Sequence, residues 1–333
     1  MSGPSWGILA TGVIAHAFAQ ALSADGHQVV AVGSRSRARA RQFATEHGIA
    51  RAYGSYEELC GDPGVDILYV ATPHVFHLEN ALMALDNGKH VLIEKPIAMN
   101  AQQAATIATR ALETGLVAME AMRTRFLPHM AEVRRIVESG ALGEVRAVHA
   151  TMMHNSGRPA LHRVNNPVLG GGALLDLGVY PTAFVLDLLG EPERIQACAV
   201  MSAQRVDCVT SAAFVYPSGA AAAWTVAINA KADARAVVAG SEARIEIGQP
   251  WHCDTDLTCV DNRGDVIARY GGSGGSPGLH YQARAMEALV AGEDRTPQGA
   301  PANLMPVSES VRVMRCLDSI GVKIGLTYPS DSR

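Results

Sequence analysis

The chain has 333 residues, 48% of them hydrophobic, and a net charge of −4. That length suits two domains with full apolar cores, and no run of about 18 apolar residues offers a membrane span. The mildly acidic balance supplies no basic field, so neither nucleic acid nor an anionic membrane surface is an expected partner.

In chain order, Trp6 to Leu9 predicts a short apolar strand, followed by the small-residue turn Ala10-Thr11-Gly12. Apolar residues at helical spacing then predict a helix over Ile14 to Ser23. A second strand is expected at Gln28 to Val32 and a third at Asp66 to Ala71, ending at Thr72-Pro73. Val75 to Asn87 reads as a helix stopped by Gly88. His90 to Ile93 is the fourth strand and runs into Glu94-Lys95-Pro96. Asn100 is placed to cap a helix over Ala101 to Glu113, Gly115 to close it, and Leu116 to Met122 to form a fifth strand. Strands alternating with helices of this length predict βαβ units and a parallel sheet covered on both faces.

The rhythm changes near residue 125. A helix is expected from about Pro128 to Ser139, then a strand over Val145 to Met152. Asn155 to Gly172 reads as a long loop and Ala173 to Leu189 as a helix. Short β-like runs with turn signals fill Arg194 to Tyr270, predicting a mostly antiparallel sheet. Gly271 to Gly278 reads as a flexible linker, with an active-site lid the alternative. Helices are expected near Leu279 to Ala291 and Asn303 to Ile320. The expected fold is therefore α/β: a doubly wound parallel Rossmann sheet in a cofactor-binding domain over residues 1–124, and a large, open, mostly antiparallel sheet in a substrate and dimerisation domain over 125–333. The C-terminal helix is a candidate to pack back on the first domain.

The stretch Gly7 to Ala15 is a degenerate dinucleotide fingerprint, with Ala10, Gly12 and Ala15 in the three glycine places. Gly12 matters most, because a side chain there would block backbone approach to a pyrophosphate. Ala10, Thr11, Gly12, Val13 and Ile14 form the candidate loop, and the helix start offers free N–H groups to the phosphates. Selectivity for NAD usually places a carboxylate at the end of the second strand. Here Ser34 is followed by Arg35, Arg37 and Arg39, with no carboxylate. Arg35 can grip a 2′-phosphate bidentately, and Arg39, four residues on, is expected on the same helix face. NADP is the expected cofactor. Strand-end residues Thr72, Pro73, His74, His77, Glu94 and Lys95 complete the candidate cofactor set. His74 and His77 read as pocket lining, and no metal site is expected.

Only four of the 28 basic residues are lysines: Lys89, Lys95, Lys231 and Lys323. Lys95 stands out because it follows the apolar run Val91-Leu92-Ile93 and precedes Pro96, which restricts it to extended geometry and admits a cis bond. A glycine run, Gly170-Gly171-Gly172, feeds a helix in which Asp176 and Tyr180 share a face at i, i+4 spacing. Lys95, Asp176 and Tyr180 form a proton-transfer set. The six cysteines show no CxxC spacing, so reduced thiols are expected, and the absence of a signal-like start makes the cytoplasm the expected location.

These residues, together with Trp6-Gly7-Ile8, Ala52 to Leu59, Met119 to Met122 and Thr124-Arg125-Phe126, make the whole chain resemble the Gfo/Idh/MocA oxidoreductases, in the branch of dihydrodiol and NADP-dependent D-xylose dehydrogenases. The resemblance implies hydride exchange with NADP, with Lys95 and Tyr180 holding the reacting oxygen of a small polar, sugar-like substrate. It implies that Arg35 and Arg39 bind the 2′-phosphate and that His77 lines the site near the nicotinamide. It also implies a homodimer, or a dimer of dimers, through the C-terminal sheet. Arg123 departs from the family, standing where dihydrodiol dehydrogenases carry an aromatic residue. A cation there suits a polar or anionic substrate better than a planar diol, which makes Arg123 a candidate substrate residue. The alternatives are a glycosidase using bound NAD(P) for internal redox, and a non-catalytic NADPH-binding regulatory protein. A short-chain dehydrogenase is disfavoured, because no lysine has a tyrosine four residues before it.

Overall fold

The computed structural model of the chain describes residues 3–155, 157 and 162–329. It divides into two compact units, one ending at Arg123 but including Gly278–Arg312, the other comprising Thr124–Pro277 and the chain from Val313.

The first unit is built on strands β1 (Trp6–Leu9), β2 (Val29–Gly33), β3 (Arg51–Tyr53), β4 (Ile67–Val70), β5 (His90–Ile93) and β6 (Ala118–Glu120). Helices α1 (Val13–Ala24), α2 (Arg37–His47), α3 (Tyr56–Cys60), α4 (His77–Asp86) and α5 (Ala101–Thr114) connect them. The strands pair in the order β3-β2-β1-β4-β5-β6, every pair parallel. That is the doubly wound order in which the chain reverses direction beside β1. β1 and β4 are buried throughout, which explains why they read as unbroken apolar runs. The Asn100 side chain accepts from Gln103 N at 2.9 Å and starts α5; Gly115, at φ +67°, closes it.

The register sets the strand ends level. Leu9 pairs with Gly33 and with Val70, Val70 with Ile93, and Ile93 with Glu120. The segments after these five residues therefore leave the same edge of the sheet. The sequence reading missed β3 and α3, and for α2 it placed Arg35 and Arg39 on a helix without giving its bounds. β3 is only three half-buried residues long, and α2 opens on alternating arginines with no apolar face in its first turn. One consequence is a correction: α2 starts at Arg37 behind the N-cap Ser36, so Arg35 lies before the helix and does not share a helix face with Arg39.

Helix α8 (Leu279–Val290) belongs to this unit, packed on α1. Its Glu287 accepts from Trp6 Nε1 at 2.7 Å and lies 2.7 Å from His27 Nδ1. His27 Nε2 is 2.9 Å from Asp25, which also binds Arg284 of α8. Burial pulls the His27 imidazole down, but the hydrogen bonds and charges of Glu287 and Asp25 outweigh it and raise its pKa above the ordinary 6.5. A raised histidine stabilises fully below its unfolded pKa and loses that contribution as pH climbs through the folded one. The melting temperature is expected to fall as pH rises above the ordinary 6.5 of histidine, and His27→Gln to flatten that slope. A wild-type slope retained in the variant would assign it elsewhere.

The second unit holds α6 (Pro128–Glu138), β7 (Val145–Met153), α7 (Val179–Leu189) and strands β8 (Arg194–Met201), β9 (Asp207–Val215), β10 (Ala221–Ala227), β11 (Ala236–Gly240), β12 (Ala243–Ile247), β13 (Leu257–Asp261) and β14 (Val266–Tyr270). These form an eight-stranded sheet in the order β14-β13-β12-β11-β7-β10-β9-β8. All pairs are antiparallel except β7 with β10, as the turn-rich sequence predicts. The division between units falls inside the last helix, α9 (Val307–Lys323). Part of the expected loop Asn155 to Gly172 lies outside the described residues; its described part holds two tight turns, Arg163–Asn165 and Pro167–Leu169.

Gly271 to Gly278 is not a free linker. Gly272 N donates to Asp256 Oδ1 at 2.8 Å, Ser273 N to Asp254 Oδ2 at 2.9 Å, and Asp254 N to Ser276 O at 2.9 Å. A side chain on Gly272 would sit 2.4 Å from the Thr255 backbone, so glycine there answers a close approach rather than flexibility. Among the described residues one helical stretch, Pro167–Leu189, is long and apolar enough to cross a membrane, and 78% of its most apolar window is buried inside the protein.

Candidate active site

The loop after β1 has the form a dinucleotide requires. Ala10 takes φ +94°, a glycine-like conformation, and its N–H donates to Gly33 O at 2.9 Å. Gly12, by contrast, has an ordinary φ of −82°, and a side chain there would meet no protein atom within 4 Å. Nothing inside the protein demands glycine at this position. The space it leaves open is what the backbone approach of a pyrophosphate would use. Gly12 is also the N-cap of α1 and gives its first turn no side-chain hydrogen bond, and that turn carries no acid. The N–H groups of Val13 and Ile14 and the positive helix end thus fit a phosphate.

The three arginines after β2 divide their work. Arg37 is committed to Glu58 through two hydrogen bonds of 2.8 and 2.7 Å. The Arg39 side chain is exposed, and its guanidinium has no partner among the described residues. Arg35 lies 5.9 Å over the Phe76 ring, and its charge works against the burial that raises the Tyr56 phenol pKa. It opens onto a cleft of about 410 Å³ lined also by Tyr56, Glu57, Thr72, Pro73, Phe76, Glu79 and Asn80. A guanidinium over an aromatic ring at the cleft fits a phosphate next to a flat base. Two carboxylates that the sequence reading did not foresee, Glu57 and Glu79, also face this cleft. The Glu57 carboxyl is held below its ordinary range by hydrogen bonds from its own backbone N–H and from Ser55, as an acid at the start of α3 should be. Ser34 lies at the strand end, where its hydroxyl accepts from Ser36 N at 3.3 Å.

Glu94 and Lys95 leave β5 on the same edge. Glu94 is 8% exposed and takes a short hydrogen bond from the Tyr69 hydroxyl. Burial raises its pKa, and Tyr69, Lys95 and Arg123 work against that shift without reversing it. Arg123 thus serves Glu94 as a nearby cation within this unit. The Lys95–Pro96 peptide is cis, the geometry that the following proline admits. Ile97 N then donates to the buried Glu120 at 3.0 Å. His77 is 1% exposed, with Nδ1 2.8 Å from Pro96 O and Nε2 2.8 Å from Thr72 O. Both partners are carbonyls that only accept, so whichever ring nitrogen carries a proton donates to one of them. The ring ties the segment after β4 to the segment bearing Lys95. Its effect on a ligand therefore passes through those carbonyls, and both nitrogens are unavailable to a metal. The His74 ring is buried 6.3 Å away.

In the second unit the glycine run enters a wide π turn, Leu174–Gly178, which continues as α7. The expected helix from Ala173 therefore begins with this wider turn. Asp176 binds Arg163 Nη2 at 3.0 Å, and the Tyr180 ring lies 6.0 Å from that of His252. Arg125 anchors α7 through Asp187 at 2.9 Å and Ala183 O at 2.8 Å, which accounts for the Thr124-Arg125-Phe126 motif. A cavity of about 600 Å³ is lined by Leu177, Met152, His154, Lys231, Pro250 and His252, among others.

Comparison with known proteins agrees with this geometry. Residues 5–122 match the model of an oxidoreductase family with an NAD-binding Rossmann fold, and residues 130–246 match the Gfo/Idh/MocA C-terminal domain. The chain belongs to the Gfo/Idh/MocA oxidoreductase family. It is 33% identical to trans-1,2-dihydrobenzene-1,2-diol dehydrogenase of Macaca fascicularis over 98% of both chains. The Danio rerio enzyme of that name is 34% identical over 98% of this chain and 99% of its own. Among solved structures, the 3-ketoreductase KijD10 of Actinomadura kijaniata, in complex with NADP and TDP-benzene, superposes with a TM-score of 0.85 at 25% identity, covering 97% of this chain and 98% of that one.

In this Gfo/Idh/MocA oxidoreductase the register brings Ala10 to Ile14, Ser34, Arg35, Thr72 to His74, Glu94 and Lys95 to one sheet edge. Arg39 does not line the Arg35 cleft. Sequence reasoning missed Tyr56, Phe76, His252 and Lys231; only Lys231 carried a signal, as one of four lysines. It also missed Asp207. This carboxylate is fully buried and accepts from Leu174 N at 2.7 Å and Thr210 Oγ1 at 2.5 Å, capping the turn that carries Asp176. Gly172, at φ +127°, must be glycine, because a side chain there would collide with Asp207. Burial pushes the Asp207 carboxyl up to about 6, against its hydrogen bonds from Thr210 and Leu174.

Removing the acceptor in Asp207→Ala strands Leu174 N and should cost about 1–3 kcal/mol of stability; Asp207→Asn, which keeps an acceptor, should cost much less. The folded pKa exceeds the unfolded one, so the folded state gains stability as pH falls through about 6. Wild type should therefore gain on Asp207→Asn between pH 7 and pH 5 in thermal melts. A constant difference across that range would sink this account of the cap.

Proposed function

We propose that this enzyme is an NADP(H)-dependent dehydrogenase or reductase that interconverts a hydroxyl and a carbonyl on a sugar, polyol or sugar-like molecule. The observation that carries the reading is the common edge of β1, β2, β4 and β5, where the open backbone at Gly12, the Arg35 cleft and Lys95 emerge level. Arg35 grips the 2′-phosphate, with Arg39 as a second cation. The cofactor supplies or takes the hydride at its nicotinamide ring. Lys95 stabilises the alkoxide that develops on the substrate oxygen, and Lys95 and Tyr180 exchange its proton. Asp176, held by Arg163, orients the hydroxyl. Residues 1–124 serve the cofactor and 125–333 the substrate, with the C-terminal sheet as the surface of a homodimer or dimer of dimers.

The relatives support a ring hydroxyl as the reacting group. One set is named for a dihydrobenzene diol, and KijD10 is a 3-ketoreductase crystallised with NADP. The substrate here is more polar than a bare diol. Arg123 replaces the aromatic residue of the dihydrodiol enzymes, and Lys231, His154 and His252 put basic groups around the second unit's cavity.

Turnover with a panel of sugars, inositols and keto-sugars, followed at the nicotinamide absorbance, tests the activity. Lys95→Met should lower kcat roughly 10²–10⁴-fold, the usual worth of a proton-transfer group, with NADPH affinity little changed. Equal losses in both would make Lys95 structural. Arg35→Ala should raise the Kd for NADPH about 10- to 100-fold, matching the ~1.5–3 kcal/mol of a charge-assisted hydrogen bond, and leave NADH binding alone. Equal weakening of both cofactors would refute the assignment of Arg35 to the 2′-phosphate.

A further inference from the structure

Among the described residues one group of His, Cys, Asp or Glu side chains brings three ligand atoms within 4.8 Å of one another: His16, Glu46 and His47. Two helices contribute. His16 lies in the first turn of α1, while Glu46 and His47 end α2, which Gly48 closes at φ +68°. His16 Nδ1 is 2.8 Å from His47 Nε2 and 3.7 Å from Glu46 Oε2. The Phe43 ring packs against both imidazoles, its centroid 4.5 Å from each, and so restrains their orientation. None of these residues belongs to the cleft or the strand-end segments described above.

We infer that His16, His47 and Glu46 form a binding site for one divalent transition-metal ion, bridging α1 and α2. Two imidazole nitrogens facing each other at 2.8 Å share a proton between two lone pairs. A cation can take that proton's place. At the ~2.0–2.1 Å Zn–N distances of such sites, two nitrogens in a tetrahedral shell stand about 3.3 Å apart. The pair therefore has to open by only about half an ångström, within reach of small side-chain rotations. The Glu46 oxygen already stands near the distance of a third corner. The His16 and Glu46 side chains are 37% and 44% exposed, which leaves an entry path and room for water at the remaining position. Two imidazoles and one carboxylate suit Zn²⁺, Co²⁺, Ni²⁺ or Cu²⁺; Mg²⁺ and Ca²⁺ prefer all-oxygen shells.

The location gives the ion something to act on. α1 begins at the Gly12 loop, and α2 begins two residues after Arg35. A metal bridge would tie together the two helices whose starts border the phosphate-binding segments, and stabilise the folded chain by mass action.

Full-length protein freed of metal with chelator is titrated with ZnCl₂ by calorimetry and melted with and without it. One equivalent should bind and raise the melting temperature. His47→Ala, His16→Ala and Glu46→Gln should each weaken that binding at least about tenfold, the loss seen when even an outer partner of a metal site is removed. Co²⁺ provides a second readout: a tetrahedral d–d absorption in wild type that is lost in His16→Ala. Should His47→Ala prove poorly folded, Glu46→Gln, an exposed change, decides alone. Binding that survives all three substitutions, or no Zn²⁺-dependent heat or stabilisation in wild type, overturns the site and leaves a simple histidine–histidine hydrogen bond.

Discussion

The parallel register of β2, β1, β4, β5 and β6 is the constraint on which the first unit depends. Parallel pairing with a helix in every crossover forces each strand to run the same way and each connection to leave the same edge. Because Gly33, Leu9, Val70, Ile93 and Glu120 are aligned across the sheet, the first polar residues after them are aligned too. The strands are buried and apolar, so chemistry cannot be placed within them. It collects where they end. Glu94 and Lys95 stand together for that reason, and the glycine-poor fingerprint can still make a phosphate cradle because Gly12 falls where the sheet already directs the chain.

Placing charged groups at a buried edge has a cost, and the structure offsets it locally. Specific partners meet the buried groups: Tyr69, Lys95 and Arg123 around Glu94, the Ile97 amide on Glu120, two carbonyls on His77 and, in the second unit, Leu174 and Thr210 on Asp207. Such contacts add little net stability when complete, but losing one partner leaves a desolvated group and costs far more. They act as locators: a segment that must satisfy Glu120 and His77 at once has few other conformations open to it. The position of Lys95 is thus fixed by residues that hold the chain on either side of it.

Features governed by local rules were legible in the sequence. The fold class followed from alternating elements, α5 from the Asn100 cap and the Gly115 stop, and β5 from an unbroken apolar run. What escaped depends on contacts distant in sequence. β3 is three residues held only by pairing with β2. Gly271 to Gly278 looks like a linker by composition, yet acceptors at Asp254 and Asp256 fix it. The face shared by Arg35 and Arg39 failed because Ser36, as N-cap, starts the helix later than the arginine spacing implied. At the candidate site the loop, Lys95 and Arg35 were readable from type and position. Tyr56, Phe76 and His252 were not, because an aromatic residue far along the chain gives no sign of which cleft it will reach.

The same contrast separates scaffold from specificity. Most charges in these segments are spent inside the fold: Arg37 on Glu58, Arg125 on Asp187, Lys89 on the Asp62 and Val65 carbonyls, and Arg123 at least partly on Glu94. Counting basic residues at a strand end therefore overstates what is offered to a ligand. Once the committed charges are set aside, Arg35 and Arg39 remain after β2, Arg35 at the first unit's cleft, and Lys231 remains beside the second unit's cavity. A fold shared by many oxidoreductases fixes where the hydride chemistry can occur. Under the proposed function, the choice of cofactor and substrate falls to the few charged side chains that the fold has not already used.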